Sequence, residues 1–271
     1  MKKTILFITL LITVNLFAQD SIVNFLDYRG NIVKKNNAFS VETIVKKDSV
    51  WQYTAYHGGG KLKEKGFYKT KKIVKPVGVS YSFSINGNLL EAKTYDNKSK
   101  LTGKYQSWFD NKKINSEGMY SNGSKIGIWK YYHFNGVLAT KQYFNKGKLM
   151  KSVFYDEVGQ KIQADLITYQ APSFNGGGMQ EFWERVKDIH NRIRFQINGV
   201  IVLNFDIDID GNIRNVQSSN KIPKKLDRQL KFYFESIKGW TPAIDMNRRV
   251  PYNQTFPLDF RVNVWNRADG R

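Results

Sequence analysis

The chain of 271 residues contains no cysteine, and this absence excludes several classes of function. Disulfide bonds, thiolate catalysis, zinc sites with cysteine ligands and lipid attachment through an N-terminal cysteine all require a thiol. Histidine is also rare: His57, His133 and His190 have no second histidine or carboxylate at the spacing of a metal ligand. His57 and His133 each precede the same kind of glycine turn, so we predict that both are turn residues.

Proline and acidic residues are scarce as well. The six prolines are not clustered, so the sequence has no stiff proline-rich arm. Lysine and arginine number 43 against 23 acidic residues, a net charge of +20. Residues 20–165 hold 25 basic and 12 acidic side chains (+13), and residues 166–271 hold 16 and 11 (+5). This charge suits an anionic envelope lipid or glycan, although lysines on exposed strands also prevent aggregation.

The one long hydrophobic run lies near the N-terminus. Lys2 and Lys3 precede the segment ILFITLLITVNLF, which is short for a membrane span, and the composition turns polar after Ala18. This pattern is typical of a secretory signal peptide over residues 1–19, with cleavage near Ala18 or Gln19. The alternative is a retained membrane anchor. We expect an exported protein of the periplasm or outer membrane, for which nucleic acid is not an expected partner.

The segment NFDIDIDGNI, residues 204–213, raises the question of a calcium site. Three aspartates at alternate positions match the start of an EF-hand loop, but the twelfth position is Gln217, which cannot supply the bidentate carboxylate. Apolar and polar residues alternate through the segment, as in a strand with one buried face. We therefore predict a strand and a hairpin turn with no metal site, and an open polar face that carries Asp206, Asp208 and Asp210.

Residues 45–160 contain a repeat of 24 or 25 residues, in which a glycine leads an aromatic strand and a turn follows. The leading glycines are Gly78, Gly103 and Gly127, and an earlier copy begins near Trp51 without one. A single hairpin cannot bury its aromatic face, whereas stacked copies form one continuous sheet. The repeat therefore predicts an elongated sheet of β-hairpins with aromatic side chains on one face and lysines on the other.

This repeat resembles the MORN-repeat variant. The resemblance rests on glycine-led aromatic strands followed by tight turns, as in Gly127-Ile128-Trp129 with Asn135-Gly136, and on partial copies at residues 25–31 and 154–160. It implies binding or scaffolding rather than catalysis.

A change of pattern near residue 165 marks a second domain, residues 166–271. Phe182, Val186 and Ile189 have helical spacing, and Pro223 suits the first turn of a second helix. The apolar stripe of that second helix consists of Leu226, Leu230, Phe234 and Ile237. Residues 240–243 are a predicted turn and residues 250–262 a last strand. The resulting order α, β, β, α, β predicts two helices on one face of a three-stranded antiparallel sheet.

This order resembles the TonB C-terminal domain family. The matching landmarks are Phe174 with Gly176-Gly177, the strand ending at Asp210-Gly211, the helix start Leu226-Asp227, Trp240-x-Pro242-Ala243, Val250-Pro251 and Pro257-x-x-Phe260. The resemblance implies a protein partner that docks in extended form beside the sheet. The chain lacks the proline-rich arm of the family and the Tyr-Pro pair usual before the first strand, so a role in energy transduction is an alternative only.

The last strand is the predicted docking site. Pro257 lacks an amide hydrogen, which favours an edge strand, and an open edge accepts a partner segment as an added strand. The alternative is a short edge protected by charges at Asp259, Arg248 and Arg249. The residues predicted to contact the partner, an outer-membrane or envelope protein, are Tyr252, Gln254, Phe256, Leu258 and Phe260.

The sequence predicts no catalytic residue, no metal ligand and no cofactor. No nucleophile elbow is present, and the glycine segments 58–60 and 176–178 lack the lysine and hydroxyl of a phosphate loop. The predicted fold class is mostly β plus α+β. The predicted function is a non-enzymatic exported envelope protein that binds or scaffolds. The alternatives are a component of TonB-dependent energy transduction and transport at the outer membrane, and a lipid- or glycan-binding repeat scaffold.

The N-terminal pattern generates a prediction about the mature chain. Intact-mass analysis of the periplasmic fraction is expected to find a protein that begins at Gln19 or Asp20, because signal peptidase removes such leaders. A full-length species that stays with the inner membrane would favour the anchor instead.

Overall fold

The structure is a computed structural model, and it describes residues 20–175, 177–186, 189, 199–218 and 222–260. The predicted signal peptide, residues 1–19, lies outside these ranges, and so does His190. Most of the described chain is β-strand. Within the same ranges, no helix is both long enough and apolar enough to cross a membrane.

Residues 21–162 form one antiparallel sheet of twelve strands, here called the repeat sheet, in which each strand pairs with the next along the chain. Its strands are β1 (Ser21–Leu26), β2 (Ser40–Lys47), β3 (Val50–Tyr56), β4 (Leu62–Tyr68), β5 (Pro76–Phe83), β6 (Leu89–Tyr95), β7 (Leu101–Trp108), β8 (Ile114–Ser121), β9 (Ser124–Tyr132), β10 (Leu138–Asn145), β11 (Lys148–Tyr155) and β12 (Lys161–Ile162). A one-turn 3-10 helix, Lys35–Asn37, lies between β1 and β2. The predicted sheet of stacked hairpins is confirmed.

The leading glycine of each repeat forms a β-bulge. Gly78, Gly103 and Gly127 have positive φ angles of 67°, 69° and 63°, and each lies where the register with the preceding strand shifts. Residues other than glycine rarely adopt this backbone conformation, and a bulge increases the local twist of the strand. The glycine at the start of the motif is therefore a backbone requirement.

Trp129 packs across a second glycine of the repeat. Its side chain is almost fully buried, and its ring lies 5.3 Å from that of Tyr105 and 4.9 Å from that of Tyr120 between centroids. A Cβ atom built on Gly118 would lie 2.3 Å from the indole ring. Gly118 therefore leaves the space that the buried indole of Trp129 occupies.

Turns of successive repeats are linked by side chains. The His57 ring bonds the Phe83 carbonyl at 3.0 Å, and the His133 ring bonds the Tyr155 carbonyl at 2.9 Å. The side-chain amide of Asn135 likewise donates to the carbonyl oxygen of the next turn at 2.8 Å. His57 and His133 both begin turns that close onto a glycine amide, so the prediction that they are turn residues is confirmed.

The two faces of the repeat sheet differ from the expected division into aromatic and lysine faces. Because side chains alternate along β9, Tyr131 lies on the face of Trp129, and Lys130 and Tyr132 lie on the other. The Tyr132 hydroxyl donates to Glu117 at 2.8 Å, and Lys130 lies 3.6 Å from the same carboxylate. The second face is therefore mixed, with rings and ion pairs together.

The described residues after Ile162 form the C-terminal unit. Its elements are β13 (Tyr169–Gln170), β14 (Ser173–Phe174), α1 (Gly178–Val186), β15 (Val200–Ile207), β16 (Ile213–Ser218), α2 (Lys224–Ser236), β17 (Trp240–Thr241), β18 (Ala243–Asp245), β19 (Arg248–Val250) and β20 (Tyr252–Asp259). The sheet β16-β15-β20 is antiparallel, as predicted, with β15 in the centre. Both predicted helices are present.

The core of the C-terminal unit lies between these helices and the three-stranded sheet. Phe182 of α1 contacts Phe234 of α2, with ring centroids 6.1 Å apart, and it contacts Phe256 of β20 at 5.2 Å. Phe182, Leu230 and Phe205 are fully buried. Apolar residues at helical and strand spacing thus meet in one cluster, as their periodicity predicts.

The segment after α2 differs from the prediction. Residues 240–243, expected as a turn, contain β17 and the start of β18. β17 pairs with β14, and β18 pairs with both β13 and β19. These partners lie about 70 residues earlier or a few residues later, and short strands acquire their structure from such pairing rather than from local propensity.

The segment NFDIDIDGNI forms the predicted hairpin. β15 ends at Ile207, and one Asp208 carboxylate oxygen accepts hydrogen bonds from the amides of Asp210 and Asn212 at 3.0 and 2.8 Å. Burial acts to raise the pKa of Asp208, but these amide bonds and Arg214 outweigh it, so the pKa lies below its usual value. Asp208 is therefore a turn-stabilising residue.

The contact between Gly118 and Trp129 generates a stability prediction. Gly118→Ala is expected to lower the free energy of unfolding by about 1–3 kcal/mol, because the added methyl group overlaps the buried indole. Gly59→Ala is the matched control, since a Cβ there meets no atom within 4 Å, and its effect should stay within about 0.5 kcal/mol. Urea unfolding measures both; equal midpoints would contradict the packing argument.

Candidate functional site

A cleft of about 770 Å³ separates the repeat sheet from the C-terminal unit. Its floor is the face of the repeat sheet that carries Tyr105, Ser107 and Tyr131, here called the cleft face. Its opposite wall comes from β15 and from the chain after β19. Clefts of roughly 300–1,000 Å³ are typical of ligand sites, so this cleft is the candidate functional site.

The floor of the cleft follows from the repeat pattern. Residues two and four positions after the leading glycine point to the cleft face; in β7 these are Tyr105 and Ser107. The Ser107 hydroxyl bonds that of Ser116 on β8 at 2.8 Å. The Tyr105 ring meets that of Tyr120 edge to face, with centroids 5.8 Å apart. Aromatic rings and small hydroxyl side chains therefore line the floor.

Arg248 of β19 closes one end of the cleft and joins it to the repeat sheet. Its side chain is about 1 % exposed, and it donates to the backbone carbonyls of Asn115 (2.8 Å) and Tyr132. It also donates to the Asp245 carboxylate at 2.7 Å. Its guanidinium lies 5.5 Å from the ring centroid of Phe109. The buried cation thus has partners from both parts of the chain.

The turn between β18 and β19 presses onto the same face. Met246 and Asn247 have positive φ angles of 49° and 62°, as in a two-residue hairpin turn. Asparagine tolerates this conformation, whereas methionine rarely adopts it. The Met246 carbonyl accepts a hydrogen bond from the buried Thr140 hydroxyl at 2.7 Å, and the Met246 sulfur accepts one from the Gln142 side-chain amide at 3.6 Å. Contacts with β10 hold the turn in place.

Two outer contacts complete the attachment of the C-terminal unit. Arg249 pairs with Glu157 of the repeat sheet at 2.8 Å. Gln217 of β16 donates to the side-chain oxygen of Asn86 at 3.2 Å. These groups are partly exposed, so each contributes little energy, but together they bracket the cleft.

The wall opposite the floor is the polar face of the three-stranded sheet. It includes Asn204 and Asp206 of β15 and Asn253 of β20. The Asp206 carboxylate accepts from Asn253 at 2.8 Å and from Asn215 at 2.8 Å. The alternation in NFDIDIDG was expected to produce an open polar face. For Asp206 that expectation is wrong, because the repeat sheet lies across from it.

Lys125 is the unusual charge of the cleft. Its ammonium lies 4.3 Å from the Trp129 ring centroid and donates to the Tyr131 hydroxyl at 2.7 Å. Burial lowers the pKa of Lys125, while the Asp245 carboxylate acts in the opposite direction. Burial also raises the pKa of the Tyr105 phenol, and so does the Glu91 carboxylate, which accepts a hydrogen bond from the Tyr105 hydroxyl at 2.8 Å. The tyrosines therefore stay protonated at neutral pH.

The five predicted docking residues divide into two groups. Phe256, Leu258 and Phe260 belong to the buried core, so their side chains are not available to a partner. Tyr252 packs against the edge of that core and also lines the cleft, and the half-buried Gln254 donates its side-chain amide to the Thr255 carbonyl. β20 has one neighbour among the described strands, β15, so the predicted edge position is confirmed. Docking at this edge stays a prediction.

Comparison with known families bears on the repeat sheet. Residues 101–122 and 125–146 match the MORN repeat variant family. They correspond to β7–β8 and β9–β10, the four strands that carry Tyr105, Trp129 and the contacts with Met246. No curated protein matches the chain.

The two matched segments thus supply part of the floor of the cleft and the repeat-sheet contacts of the β18–β19 turn. Sequence reasoning found the repeats but missed the cleft and Lys125. It also named Arg248 among the charges that would protect an edge strand, and this is wrong because the side chain is buried. One signal was present: Met246-Asn247 separates the short runs Ala243–Asp245 and Arg248–Val250, a hairpin pattern that the expected turn at residues 240–243 obscured.

The burial of Arg248 generates a prediction with a neighbouring control. Arg248→Ala is expected to lower the free energy of unfolding by about 1–3 kcal/mol, since it leaves buried carbonyl groups without a donor. Arg249→Ala removes a half-exposed ion pair and should cost less than about 1 kcal/mol. Thermal unfolding compares them; similar losses for both variants would refute the role assigned to Arg248.

Proposed function

We propose that this protein is a non-enzymatic, exported binding protein of the cell envelope. The observation that carries the proposal is the cleft, which MORN repeat variants and the C-terminal unit build together. MORN repeat variants are associated with binding and scaffolding, in keeping with this role. Export is proposed on the N-terminal sequence pattern alone.

The chemistry of the cleft supports binding rather than catalysis. The Asp110 carboxylate accepts from Ser84 (2.5 Å), Asn86 (2.6 Å) and Asn88 (2.8 Å). Burial acts to raise its pKa, but these donors outweigh burial, and the pKa lies below its usual value. A general acid needs a pKa near the working pH, so a carboxylate held ionised in this way is unsuited to that task.

A second element of the proposal is protein docking at β20. The edge position of β20 supports it, because an added strand is bound through backbone groups and does not require the buried side chains. The observed helix and strand order, with its three-stranded sheet, agrees with the order on which the TonB-like resemblance rests. We therefore propose a TonB-like docking role, with participation in TonB-dependent transport as the second candidate function.

A third element is attraction to an anionic envelope component. Exposed lysines on separate strands, such as Lys63, Lys104 and Lys151, support it. Their charge acts over roughly 8 Å at physiological ionic strength, so such contact would be sensitive to salt.

Photo-crosslinking in living cells tests the docking element. A crosslinking residue at Gln254 or Thr255 of β20 is expected to capture one envelope protein, because an added strand would lie beside these positions. Phe232, which is 78 % exposed on α2, is the control position. Adducts confined to this chain at Gln254 and Thr255, or the same captured protein at Phe232, would overturn docking at β20.

A further inference from the structure

The cleft exposes aromatic rings from both of its walls. Tyr105 and Tyr120 are partly exposed on the floor, and Tyr252 is partly exposed on the opposite wall. Tyr169, which also lines the cleft, is 56 % exposed. The face of a phenol ring is electron-rich and attracts C–H groups, so rings in this arrangement suit a ligand with flat faces of C–H bonds.

Charged side chains of both signs line the cleft, and carboxylates outnumber basic groups. The lining carries four carboxylates and two basic side chains: Glu91, Asp110, Asp206, Asp245, Lys125 and Arg248. Two of these carboxylates have a cation at hydrogen-bond distance, since Glu91 lies 2.6 Å from Lys93 and Asp245 lies 2.7 Å from Arg248. Burial lowers the pKa of His57, so its ring stays neutral near pH 7.

This mixture of charges disfavours a charged ligand. Asp110 on the repeat-sheet side and Asp206 on the opposite wall are held by amide and hydroxyl donors and leave negative charge there, while Lys125 leaves positive charge on the floor. A ligand with net charge of either sign would lose its hydration beside groups of its own sign, which is costly in a confined site. An uncharged ligand avoids this cost, even though the whole chain carries +20.

The cleft also offers hydrogen-bonding groups to a ligand with hydroxyls. Ser107 and Ser116 bond to each other, and each oxygen keeps further acceptor capacity. The side-chain oxygen of Asn115, on the cleft lining, has no hydrogen-bond partner among the described residues. A buried acceptor without a donor is uncommon in folded proteins, and it points to a hydroxyl donor from outside the chain.

We propose that the cleft binds an uncharged saccharide, with a pyranose ring against Tyr105 and hydroxyl groups directed to Ser107 and Asn115. The volume of about 770 Å³ accommodates a short oligosaccharide rather than a single sugar. This inference rests on the proposed binding function and gives its cleft a ligand class. It shares Tyr252, the first residue of β20, with the predicted docking strand, but it does not include Gln254, Thr255 or the lysines on the outside of the repeat sheet.

A glycan array probed with the full chain tests the proposal. The array holds neutral oligosaccharides and their acidic counterparts. Binding is expected to neutral members, and it should change little as salt rises, because no net charge is paired. Tyr105→Ala and Tyr252→Ala are each expected to weaken binding about tenfold, since each removes one ring that contacts the sugar.

Two controls separate contact from folding. Tyr81→Ala removes a ring that is 37 % exposed on the opposite face of the repeat sheet, and it should leave sugar binding unchanged. Tyr105→Phe keeps the ring, loses the bond to Glu91 and should retain binding. Circular dichroism verifies that each variant is folded.

The outcomes that would overturn the saccharide proposal differ from those that would overturn the proposed docking function. Binding confined to acidic glycans and lost with salt would assign recognition to the basic surface instead. Full neutral-sugar binding by folded Tyr105→Ala and Tyr252→Ala would remove the cleft as the site. No binding to any glycan would reject the saccharide, and crosslinks at Gln254 and Thr255 would then still support the docking function.

Discussion

The guanidinium group of Arg248 determines how the two parts of this protein meet. A buried cation is tolerated only where acceptors surround it, and here those acceptors come from two sources. Asp245 belongs to the same hairpin, whereas the carbonyls of Asn115 and Tyr132 belong to the repeat sheet. Because those carbonyls are fixed by strand pairing, one placement of the hairpin satisfies the cation. The cleft is the space that this placement leaves beside it.

Several residues of the cleft face and its contacts depart from the usual backbone and packing preferences of their residue types. Met246 adopts a conformation that suits asparagine or glycine, and Trp129 fits because Gly118 has no side chain. Gly103 and Gly127 interrupt the strand register next to Tyr105 and Trp129. A fold retains such exceptions where surrounding contacts hold them, and they concentrate at functional surfaces. Apart from Met246, these exceptions lie in the two segments that match the MORN repeat variant family.

Charged side chains are distributed differently on the outer surface of the protein and in the cleft. The excess of lysine lies on strands and turns in contact with solvent, while the cleft lining has four carboxylates and two basic side chains. Net charge acts at long range on encounter and solubility, whereas a confined site depends on the groups that lose their hydration. The proposed attraction to an anionic envelope component and the proposed selection of an uncharged ligand therefore involve different surfaces of the protein.

The sequence by itself determined the features that depend on neighbouring residues. The 24–25-residue period predicted the repeat sheet, and alternation in NFDIDIDG predicted β15 and its hairpin. The apolar spacing after Pro223 predicted α2. Each follows from hydrogen bonds or side-chain periodicity within a few positions, which composition and spacing report directly. The edge position of β20 could also be predicted, since Pro257 cannot pair on both sides.

Only the tertiary structure decided which polar faces are exposed and which enclose a site. Asp206 and Tyr105 are about 100 residues apart, and nothing in either local pattern indicates that they face each other across a cleft. The short strands near residue 240 and the burial of Arg248 likewise depend on partners far along the chain. The C-terminal unit packs against the repeat sheet through many weak contacts between residues that are distant in sequence. A hydrophobic pattern of period two or 3.6 carries no information about such contacts.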